Sequence, residues 1–502
     1  MSETRICSLS GLKIEKNAET LIMWNVVAGV ALLAAGGLFG LLMALTRWPS
    51  VHLLDIQWYY RLLTLHGVDA LLAWIIFFEI GLVYFCSSVL LGTRAAAPKV
   101  AWVAFAMMLG GGVLINVIVL LGGSDVLFTS YVPLKASPFY YLGIIIFAVG
   151  SLIAFCLFFA NIVVAKREGA FQRTLPLGAY GMAAACIIAI LTFGHGAGIM
   201  IPTLLWSAGL IPNVDPGAYR LVFWALGHAS QQINVCAMVA VWYMTAAFTL
   251  GAKPVNEKLS RTAFVLYILF INVASEHHLL TDPILSNWHK IVNTSYVMHL
   301  AVLASMMHAF CVPASWEVAL RKKGYTAGLF EWLKKAPWGN PAFSAIAISL
   351  VLFGFLGGIT GVIFGTEQFA IVRHNTFAIT GHFHTTVVAG TTLAFMGFTY
   401  LILPYIFRRK LILPGLAVIQ PYLYGIGVTI FAMAMMAAGS FGVPRRHWDI
   451  TFSGAPFSFS FDPSVDMFLS LMGVGSLLAV VGGGIYVVIS LGSVFYGEKV
   501  EG

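Results

Sequence analysis

Long apolar stretches alternate with short polar segments along nearly the whole chain. A helix that spans a membrane needs about 20 mostly apolar residues. Twelve stretches reach that length, which predicts an all-α membrane protein with twelve transmembrane helices. The approximate bounds of these helices are 21–46, 60–91, 100–122, 139–165, 176–205, 219–250, 262–281, 292–312, 343–366, 376–406, 416–440 and 466–494. The whole chain, residues 1–502, is therefore expected to be a single transmembrane domain.

The composition supports this prediction and excludes several classes of protein. Hydrophobic residues make up 60% of the chain and charged residues only 10%, whereas soluble domains carry about 25% charged residues. A cytosolic enzyme, a disordered chain and a collagen-like chain are thus excluded. The six cysteines occur singly and form no C-x-x-C motif. We therefore expect no zinc ribbon, thiol redox centre or covalently attached c-type haem.

The distribution of positive charge predicts how the chain is oriented in a cell membrane. If the twelve helices alternate in direction, 20 of the 28 Lys and Arg residues lie on the side of the N-terminus. The positive-inside rule then predicts that both termini are cytoplasmic. The formal net charge of +8 reflects this topology, and no basic patch interleaved with aromatic residues indicates nucleic-acid binding.

Histidines inside the apolar stretches are the strongest indication of chemistry. Ionisable residues within a membrane are costly and usually functional, and histidine is the commonest metal ligand. A single such residue can equally be a hydrogen-bonded core histidine, but a core does not require this combination. Six of the thirteen histidines lie well inside predicted helices, and they are His66, His228, His277, His278, His382 and His384.

The spacing of His382 and His384 is informative because each residue of an α-helix turns by 100°. Two residues apart, these side chains point about 200° apart, to opposite sides of one helix. One helix can therefore hold a flat cofactor on each side, which suits electron transfer between two haems. His66, in the second predicted helix, is a candidate for the other axial ligand of one haem. The remaining three histidines of the set supply enough imidazoles for a copper or non-haem iron ion.

Five short motifs carry a resemblance to a known family. In chain order they are TLHGV around His66, LGHASQQIN at 226–234, SEHHLLTDP at 275–283, RHNTFAITGHFH at 373–384, and PRR at 444–446. With these motifs the chain resembles subunit I of the haem-copper oxidase superfamily, over nearly its full length. It is most similar to the B-type branch of that superfamily. The resemblance implies a twelve-helix catalytic subunit that binds two haems, one low-spin and one high-spin, and one copper ion.

The resemblance also implies which residues bind each cofactor. The assignments are His66 and His384 to the low-spin haem, His382 to the high-spin haem, His228, His277 and His278 to the copper (or non-haem iron) ion, and His374, Asn375, Arg445 and Arg446 to the haem propionates. Guanidinium groups pair well with carboxylates, which agrees with the last assignment. A solvated pair of loop arginines is the alternative there.

Proton delivery in the B-type branch follows one path, and the resemblance maps part of it onto this chain. Tyr243 and Ser305 match a tyrosine and a serine of that path. His308 and Cys311 stand where hydroxyl residues are usual, so the path is altered here. Simple core polarity is the alternative for each of these residues.

One departure from the family pattern concerns the substrate. Oxygen reductases place a tyrosine four residues after the first metal-binding histidine, and this chain has Gln232 there. A second branch takes its tyrosine from a position that is Ile271 here. The nearest tyrosine, Tyr267, lies ten residues before His277, roughly 15 Å along a helix. Because glutamine cannot form a phenoxyl radical or act as a phenolic acid, and the nitric oxide reductases that the chain resembles also lack the tyrosine, we expect reduction of nitric oxide.

Two alternative functions remain open at this point. The first is an oxygen-reducing cytochrome c oxidase that manages without the tyrosine or obtains one from another position. The second, from a different class, is a twelve-helix secondary transporter whose histidines relay protons. Transporters often contain internal repeats with broken helices, and we find no convincing repeat.

Several acidic residues and one histidine have no certain role. Glu276 directly precedes the double histidine and is a candidate for proton handling or for structural hydrogen bonding. Asp69 lies one turn after His66 and is a candidate for orienting it. Glu79 and His195 are assigned no role.

Electrons are expected to come from outside the chain. No copper-A motif or c-haem motif is present in the sequence. By analogy with the family, we expect a small subunit II and cytochrome c or a cupredoxin as donor, with a diatomic gas as the substrate.

Overall fold

The computed structural model describes residues 3–271, 273–453, 455–457 and 459–500. Within these residues it consists of helices, apart from one antiparallel pair of short strands, β1 (Thr4–Ile6) and β2 (Lys13–Glu15). The long helices, labelled in chain order, are α1 (Lys16–Arg47), α2 (Ile56–Val89), α3 (Pro98–Leu120), α4 (Pro138–Arg167), α5 (Leu177–Ser207), α6 (Pro216–Leu250), α7 (Glu257–Ile271), α8 (Asn287–Lys322), α9 (Pro341–Phe364), α10 (Phe377–Tyr405), α11 (Pro414–Ser440) and α12 (Ser464–Tyr496). The shorter helices among the described residues are Glu276–Leu279, which is a 3₁₀ turn, Glu331–Lys334 and Glu367–Arg373.

The predicted count of twelve transmembrane helices is not confirmed. Among the described residues, eleven helices are long and apolar enough to cross a membrane. The exception is the predicted helix 262–281, where α7 covers 15 residues, or about 22 Å at 1.5 Å per residue. A bilayer core is about 30 Å thick. The 3₁₀ turn that follows, Glu276–Leu279, carries the double histidine. His277 and His278 are therefore not part of an α-helix, contrary to the prediction from the sequence.

Polar residues and prolines define where several of these helices begin. Asp55 accepts hydrogen bonds from two backbone N–H groups in the first turn of α2, and Asp215 accepts one in the first turn of α6. Helices α4, α6 and α9 each carry proline at their first position, where the missing N–H costs nothing. In these helices the polar connection therefore ends with a local signal for helix formation.

Three helices form the centre of the bundle. In α2, α6 and α10 the most apolar windows are 83%, 78% and 89% buried within the protein, whereas the other spans reach at most 56%. On α3, in contrast, Leu109, Val113 and Val117 form an exposed apolar stripe, with the spacing of one helical face. Such a stripe suits contact with lipid. The three central helices also carry four of the six histidines singled out above, and the other two lie on the 3₁₀ turn.

Buried hydrogen bonds join these central helices to one another and to α9. The indole of Trp74 on α2 donates to Thr392 Oγ1 on α10 at 3.2 Å. The indole of Trp242 on α6 donates to Ser349 Oγ on α9 at 3.0 Å, and Ser349 in turn donates to the carbonyl of Gly390 on α10 at 2.7 Å. These bonds satisfy polar atoms in an apolar interior and so fix how the helices pack.

Two of the central helices change their hydrogen-bonding pattern next to a candidate ligand. In α2 a π-helical segment, Gly67–Ala73, starts directly after His66, and in α10 another, His384–Thr392, starts at His384. A π-helical turn contains an extra residue and often marks a functional site. The helices are thus locally widened at two of the predicted haem ligands.

Candidate metal and cofactor centre

The three histidines predicted to bind copper come together in the structure. Each of His228, His277 and His278 offers a ring nitrogen within 4.8 Å of those of the other two. His228 Nδ1 lies 3.2 Å from His278 Nε2. Among the described residues this is the group with a metal-binding arrangement. We call it the three-histidine cluster.

A break in α6 and a 3₁₀ turn create the cluster. The α-helical segments of α6 end at Gly227 and resume at Ala229, so His228 stands at the junction. The indole of Trp224, one turn earlier, stacks on the His278 ring with 3.8 Å between ring centres and 8° between planes. This indole contact, which the sequence did not reveal, holds His278 in position beside His228.

Backbone carbonyls define the tautomers of three candidate ligands. The Nδ1 atoms of His66, His277 and His384 lie 2.8, 2.6 and 2.7 Å from the carbonyl oxygens of residues 36, 274 and 380, respectively. A carbonyl oxygen can only accept, so each Nδ1 carries the proton. In the neutral ring Nε2 then keeps its lone pair, which is the state that a metal ligand requires.

His66 on α2 and His384 on α10 form a second arrangement, which we call the helix-pair site. Their rings are nearly parallel, at 9°, and their centres are 6.2 Å apart. A metal–nitrogen bond is about 2.0–2.1 Å long, so two imidazoles on opposite sides of one ion have ring centres about 6 Å apart. A side chain at Gly40 would come within 2.8 Å of the His66 ring. The spacing fits one ion between two axial ligands.

A cavity of about 530 Å³ surrounds the helix-pair site. Both imidazoles line it, together with many apolar side chains from α1, α10, α11 and α12. Arg445 and Arg446, from the connection after α11, also line it. A mostly apolar cavity of this size with a few polar groups is typical of a cofactor site.

The two arginines form a site for anions. The pKa of Arg445 is lowered to about 9, mainly by burial and secondly by the positive charge of the neighbouring Arg446. Among the described residues neither arginine has a carboxylate partner. Arg445 donates instead to Asn375 Oδ1 at 2.7 Å, and Arg446 lies over the Tyr131 ring at 5.4 Å. Two adjacent enclosed cations fit the carboxylates of haem propionates.

His374 lies close to the two arginines. Burial, and next the positive charge of Arg445, lower the pKa of His374 to about 4. The ring is therefore neutral near pH 7, and it is available as a hydrogen-bonding group beside the anion site. Its neighbour Asn375 has a φ of 61°, a conformation that asparagine tolerates better than most residues.

His382 faces away from the helix-pair site. Its Nδ1 lies 2.8 Å from Thr360 Oγ1 on α9, whereas His384 faces α2. The Thr360 hydroxyl lies 2.5 Å from the carbonyl of Leu356 and donates to it. The hydroxyl oxygen is then left to accept from His382 Nδ1–H, so Nε2 keeps its lone pair here as well. The hydroxyl of Thr360 was not singled out from the sequence.

Gln232 lies directly beside the three-histidine cluster. Its Nε2 is 3.1 Å from His228 Nε2, on the side of that ring away from His278. Tyr267 is placed elsewhere, with its hydroxyl 2.9 Å from Ser305 Oγ. Among the described residues no tyrosine hydroxyl is hydrogen-bonded to the cluster. The side chain at position 271 lies outside what the structure describes.

The predicted proton path forms a connected polar group between α6, α7 and α8. The Tyr243 hydroxyl lies 2.9 Å from Ser260 Oγ and 3.2 Å from His308 Nδ1. The His308 ring stacks on Tyr267, with 5.8 Å between ring centres, and Tyr267 bonds to Ser305. Cys311 is buried one turn after His308. His308, a departure from the family pattern, thus occupies the middle of the group.

The hydrogen bonds of Glu276 go to residues of α8 and not to the three-histidine cluster. Its Oε2 forms a close contact with His289 Nε2 and accepts from Asn293 Nδ2 at 3.3 Å. Its backbone N–H also donates to Asn293 Oδ1, at 3.0 Å. These bonds favour the structural role for Glu276 over the proton-handling role, since they join the 3₁₀ turn to α8.

The remaining candidates are found away from the predicted ligands. Asp69 Oδ1 accepts from Asn116 Nδ2 on α3 at 2.8 Å, so its hydrogen bond does not orient His66. His195 is exposed on α5. Glu79 is fully buried on α2.

The comparisons with known proteins identify the family. The sequence profile described as "Cytochrome C and Quinol oxidase polypeptide I" matches residues 20–481. The chain belongs to this family. It is thus a haem-copper oxidase subunit I, an oxidoreductase of the membrane, and the secondary transporter alternative is not supported.

Relatives of this oxidase family member are named after oxygen-reducing enzymes. "Cytochrome c oxidase subunit 1" of Thermus thermophilus is 31% identical over 446 residues, which are 84% of this chain and 76% of the relative. "Quinol oxidase subunit 1" of Bacillus spizizenii is 25% identical over 484 residues, 90% of this chain and 69% of the relative. A cryo-EM structure of a heme-copper terminal oxidase dimer superposes with a TM-score of 0.90 at 27% identity, covering 97% of this chain and 86% of the other. These names support the oxygen-reducing alternative better than nitric oxide reduction.

Proposed function

We propose that the chain is the catalytic subunit of a respiratory haem-copper reductase and that it reduces nitric oxide to nitrous oxide. The observation that carries the choice of gas is the contact of Gln232. An amide, rather than a phenol, lies 3.1 Å from the imidazole of His228. We expect the haems and the metal ion because of the family to which the chain belongs. We infer the choice of gas from the residue at position 232.

The histidines are proposed to hold the cofactors in two places. His66 and His384 hold the low-spin haem, and His382 holds the high-spin haem on the other side of α10. The three-histidine cluster holds the copper or non-haem iron ion. When bound, these groups accept electrons and bind the gas. Arg445 and Arg446, with His374 and Asn375 beside them, pair with the propionates.

The chemistry of the two gases explains why Gln232 favours nitric oxide. Reduction of oxygen breaks an O–O bond, for which family oxidases draw an electron and a proton from a tyrosine. Reduction of nitric oxide, 2 NO + 2 e⁻ + 2 H⁺ → N₂O + H₂O, breaks no O–O bond. A carboxamide can donate and accept hydrogen bonds, but it has no phenolic proton to release. Gln232 can therefore orient His228 without taking part in the redox step.

The second candidate is oxygen reduction, possible for this chain if the electron and proton come from another residue. The observation in its favour is the naming of the relatives, including the cytochrome c oxidase subunit 1 that is 31% identical over 84% of this chain. These names apply to the relatives themselves. The residue that distinguishes the two reactions is the one at position 232.

Protons and electrons are proposed to arrive from opposite sides. The group around Tyr243 and His308 provides hydroxyl and imidazole groups on the inner half of α6, α7 and α8. Electrons enter from the outer face through a separate subunit II, with cytochrome c or a cupredoxin as the soluble donor. Both termini are placed in the cytoplasm in this proposal, and residues 1–502 act as one catalytic domain.

Turnover of each gas by the same purified holoenzyme tests the proposal. The enzyme is isolated from membranes with its partner subunits, its haem and metal contents are measured, and it is reduced with an artificial electron donor. We expect sustained formation of N₂O from NO and slow consumption of O₂. Fast four-electron consumption of O₂ with little N₂O formation would establish the second candidate. A preparation with no haem bands in its reduced-minus-oxidised spectrum would contradict both.

A further inference from the structure

A carboxyl group is buried in the centre of the bundle without a cation beside it. Glu79, on α2, is fully buried. Among the described residues no Lys, Arg or His forms a hydrogen bond or ion pair with it. An isolated ionised carboxylate is costly in an apolar medium, so such a group rests in its neutral form and often has a function.

Two amide side chains connect this carboxyl to the cofactor cavity. One atom of the Asn234 amide lies 2.9 Å from Glu79 Oε1. The orientation that satisfies its neighbours makes that atom the nitrogen, which also donates to the carbonyl of Ser230 at 3.0 Å. The other amide atom is then the oxygen, 3.2 Å from Gln231 Oε1, so a hydrogen bond between the two amides requires the Gln231 nitrogen on that side. Gln231 itself lines the 530 Å³ cavity, as does His278 of the three-histidine cluster.

This line of side chains runs toward the cluster along α6. Asn234 follows His228 by six residues, or about 9 Å along a helix. Gln231 lies between them and is the direct neighbour of Gln232, which contacts the His228 ring. The side chains of Asn234 and Gln231 therefore lie between the carboxyl and the three-histidine cluster.

The second oxygen of the carboxyl has no partner among the described residues. Glu79 Oε2 is buried and accepts no hydrogen bond from the protein. Buried polar atoms normally have a partner, which is often an ordered water. The titratable groups that interact electrostatically with Glu79 are the thiols of Cys186 on α5 and Cys236 on α6. Neither thiol carries a charge that would hold the carboxyl in its ionised form.

From this geometry we propose that Glu79 is a proton-donating residue for the gas-reduction site. The O–H bond of the neutral carboxyl breaks, and its proton passes to a water that Asn234 and Gln231 position on the side of the three-histidine cluster. The resulting carboxylate takes a proton back from water on the side of Ser87, whose hydroxyl accepts from Asn161 at 2.9 Å two turns further along α2. No electron moves in this step.

The assignment rests on the proposed function only insofar as the chain reduces a gas and consumes protons. It holds for nitric oxide and for oxygen alike. It is separate from the Tyr243 and His308 group, which shares no residue with it. Carboxamides do not release protons at neutral pH, so among the side chains of this line Glu79 is the one that exchanges a proton.

Infrared spectroscopy and turnover of the holoenzyme together test the assignment. The reduced enzyme binds carbon monoxide, and photolysis of that ligand yields a difference spectrum that contains the C=O stretch of any neutral carboxyl near the cavity. In the parent protein we expect such a band, shifted in D₂O. Glu79→Gln should remove it and lower turnover by about 100-fold or more, the range of a lost acid–base group. Glu79→Asp should keep a displaced band and part of the turnover.

Two further variants keep the test decisive. Asp69→Asn removes another buried carboxyl of α2, whose partner is Asn116, and should retain the band. If Glu79→Gln does not assemble with haem, Asn234→Val preserves the carboxyl and should shift the band and slow turnover. A carboxyl band and turnover that are unchanged in the Glu79 or Asn234 variants would overturn the assignment. Because the spectrum requires no NO or O₂, its result is independent of the choice of gas.

Discussion

The helix-pair site and the three-histidine cluster hold their imidazoles by different means. In the helix-pair site, His66 and His384 extend from two long helices, and each ring is oriented by a backbone carbonyl. In the three-histidine cluster, a broken helix and a 3₁₀ turn bring the rings together, and side chains such as Gln232 contact them. The first site depends mainly on backbone geometry, whereas the second can be altered by single side-chain changes. Differences in substrate are therefore expected at the cluster.

Removing a ring from the helix-pair site should have the largest effect. His384→Ala deletes one of the two parallel imidazoles, so the low-spin haem of our proposal would lose one of its two protein ligands. We expect loss of the low-spin absorbance bands and of nearly all turnover, measured by reduced-minus-oxidised spectra and gas consumption. His195→Ala, an exposed histidine on α5, is the control and should match the parent. Unchanged low-spin bands in His384→Ala would show that another residue is the ligand.

Changing Thr360, which contacts the candidate ligand His382, should lower turnover by a smaller but measurable amount. Thr360→Val removes the acceptor for His382 Nδ1–H, and loss of such outer contacts typically costs about 10- to 100-fold in affinity or activity. We expect a shifted iron–histidine vibration of the high-spin haem and a decrease in turnover of that order. Thr360→Ser keeps the hydroxyl and should restore both. Equal behaviour of the two variants would mean that the hydroxyl does not orient His382.

At the three-histidine cluster, the contact of Gln232 is open to a direct test. Gln232→Leu has a similar size but no amide, so His228 loses one hydrogen bond, which is worth about 1 kcal/mol, or a factor of five to ten. We expect a decrease of about this size in NO turnover and altered magnetic resonance of the bound metal. Gln232→Asn keeps an uncharged carboxamide, which can still donate and accept hydrogen bonds, and serves as the matched control. Full activity in Gln232→Leu would show that the amide of Gln232 does not orient His228.

The smallest effect is expected for Glu276. Its contact with His289 is partly exposed, and exposed ion pairs contribute about 0–1 kcal/mol to stability. Glu276→Gln should therefore change turnover by less than about twofold, as would be checked by N₂O formation across a range of pH. A large decrease with a displaced pH profile would instead indicate that Glu276 handles protons for the cluster.

The sequence predicts the helix-pair site better than the three-histidine cluster. The two-residue spacing of His382 and His384 indicates opposite faces of a helix, and the structure has them facing α9 and α2. Periodicity alone does not reveal the π-helical segments beside His66 and His384, because these depend on tertiary packing. The end of α7 at Ile271 was also not predicted, since the apolar pattern continues through residue 281. Local hydrophobicity cannot distinguish a helix from a turn that is buried among other helices.

Contacts between distant side chains were the least predictable part of the site. The pairing of Glu276 with His289 and the contact of Glu79 with Asn234 join residues from different elements. A sequence marks each of these residues as unusual for a membrane helix, but it does not say which residue meets which. The contact of Gln232 with His228 is the exception, because four residues along a helix share a face.

The adjacent guanidinium groups of Arg445 and Arg446 have a consequence for how the protein is assembled. Two enclosed positive charges that have no carboxylate partner among the described residues oppose closure of the chain around them. A negatively charged prosthetic group that enters the cavity neutralises them, so its binding energy contributes directly to folding of the connection after α11. We therefore expect maturation of this region and insertion of the prosthetic group to be thermodynamically coupled. Chains made under haem starvation should be cut by proteases in this connection before they are cut elsewhere.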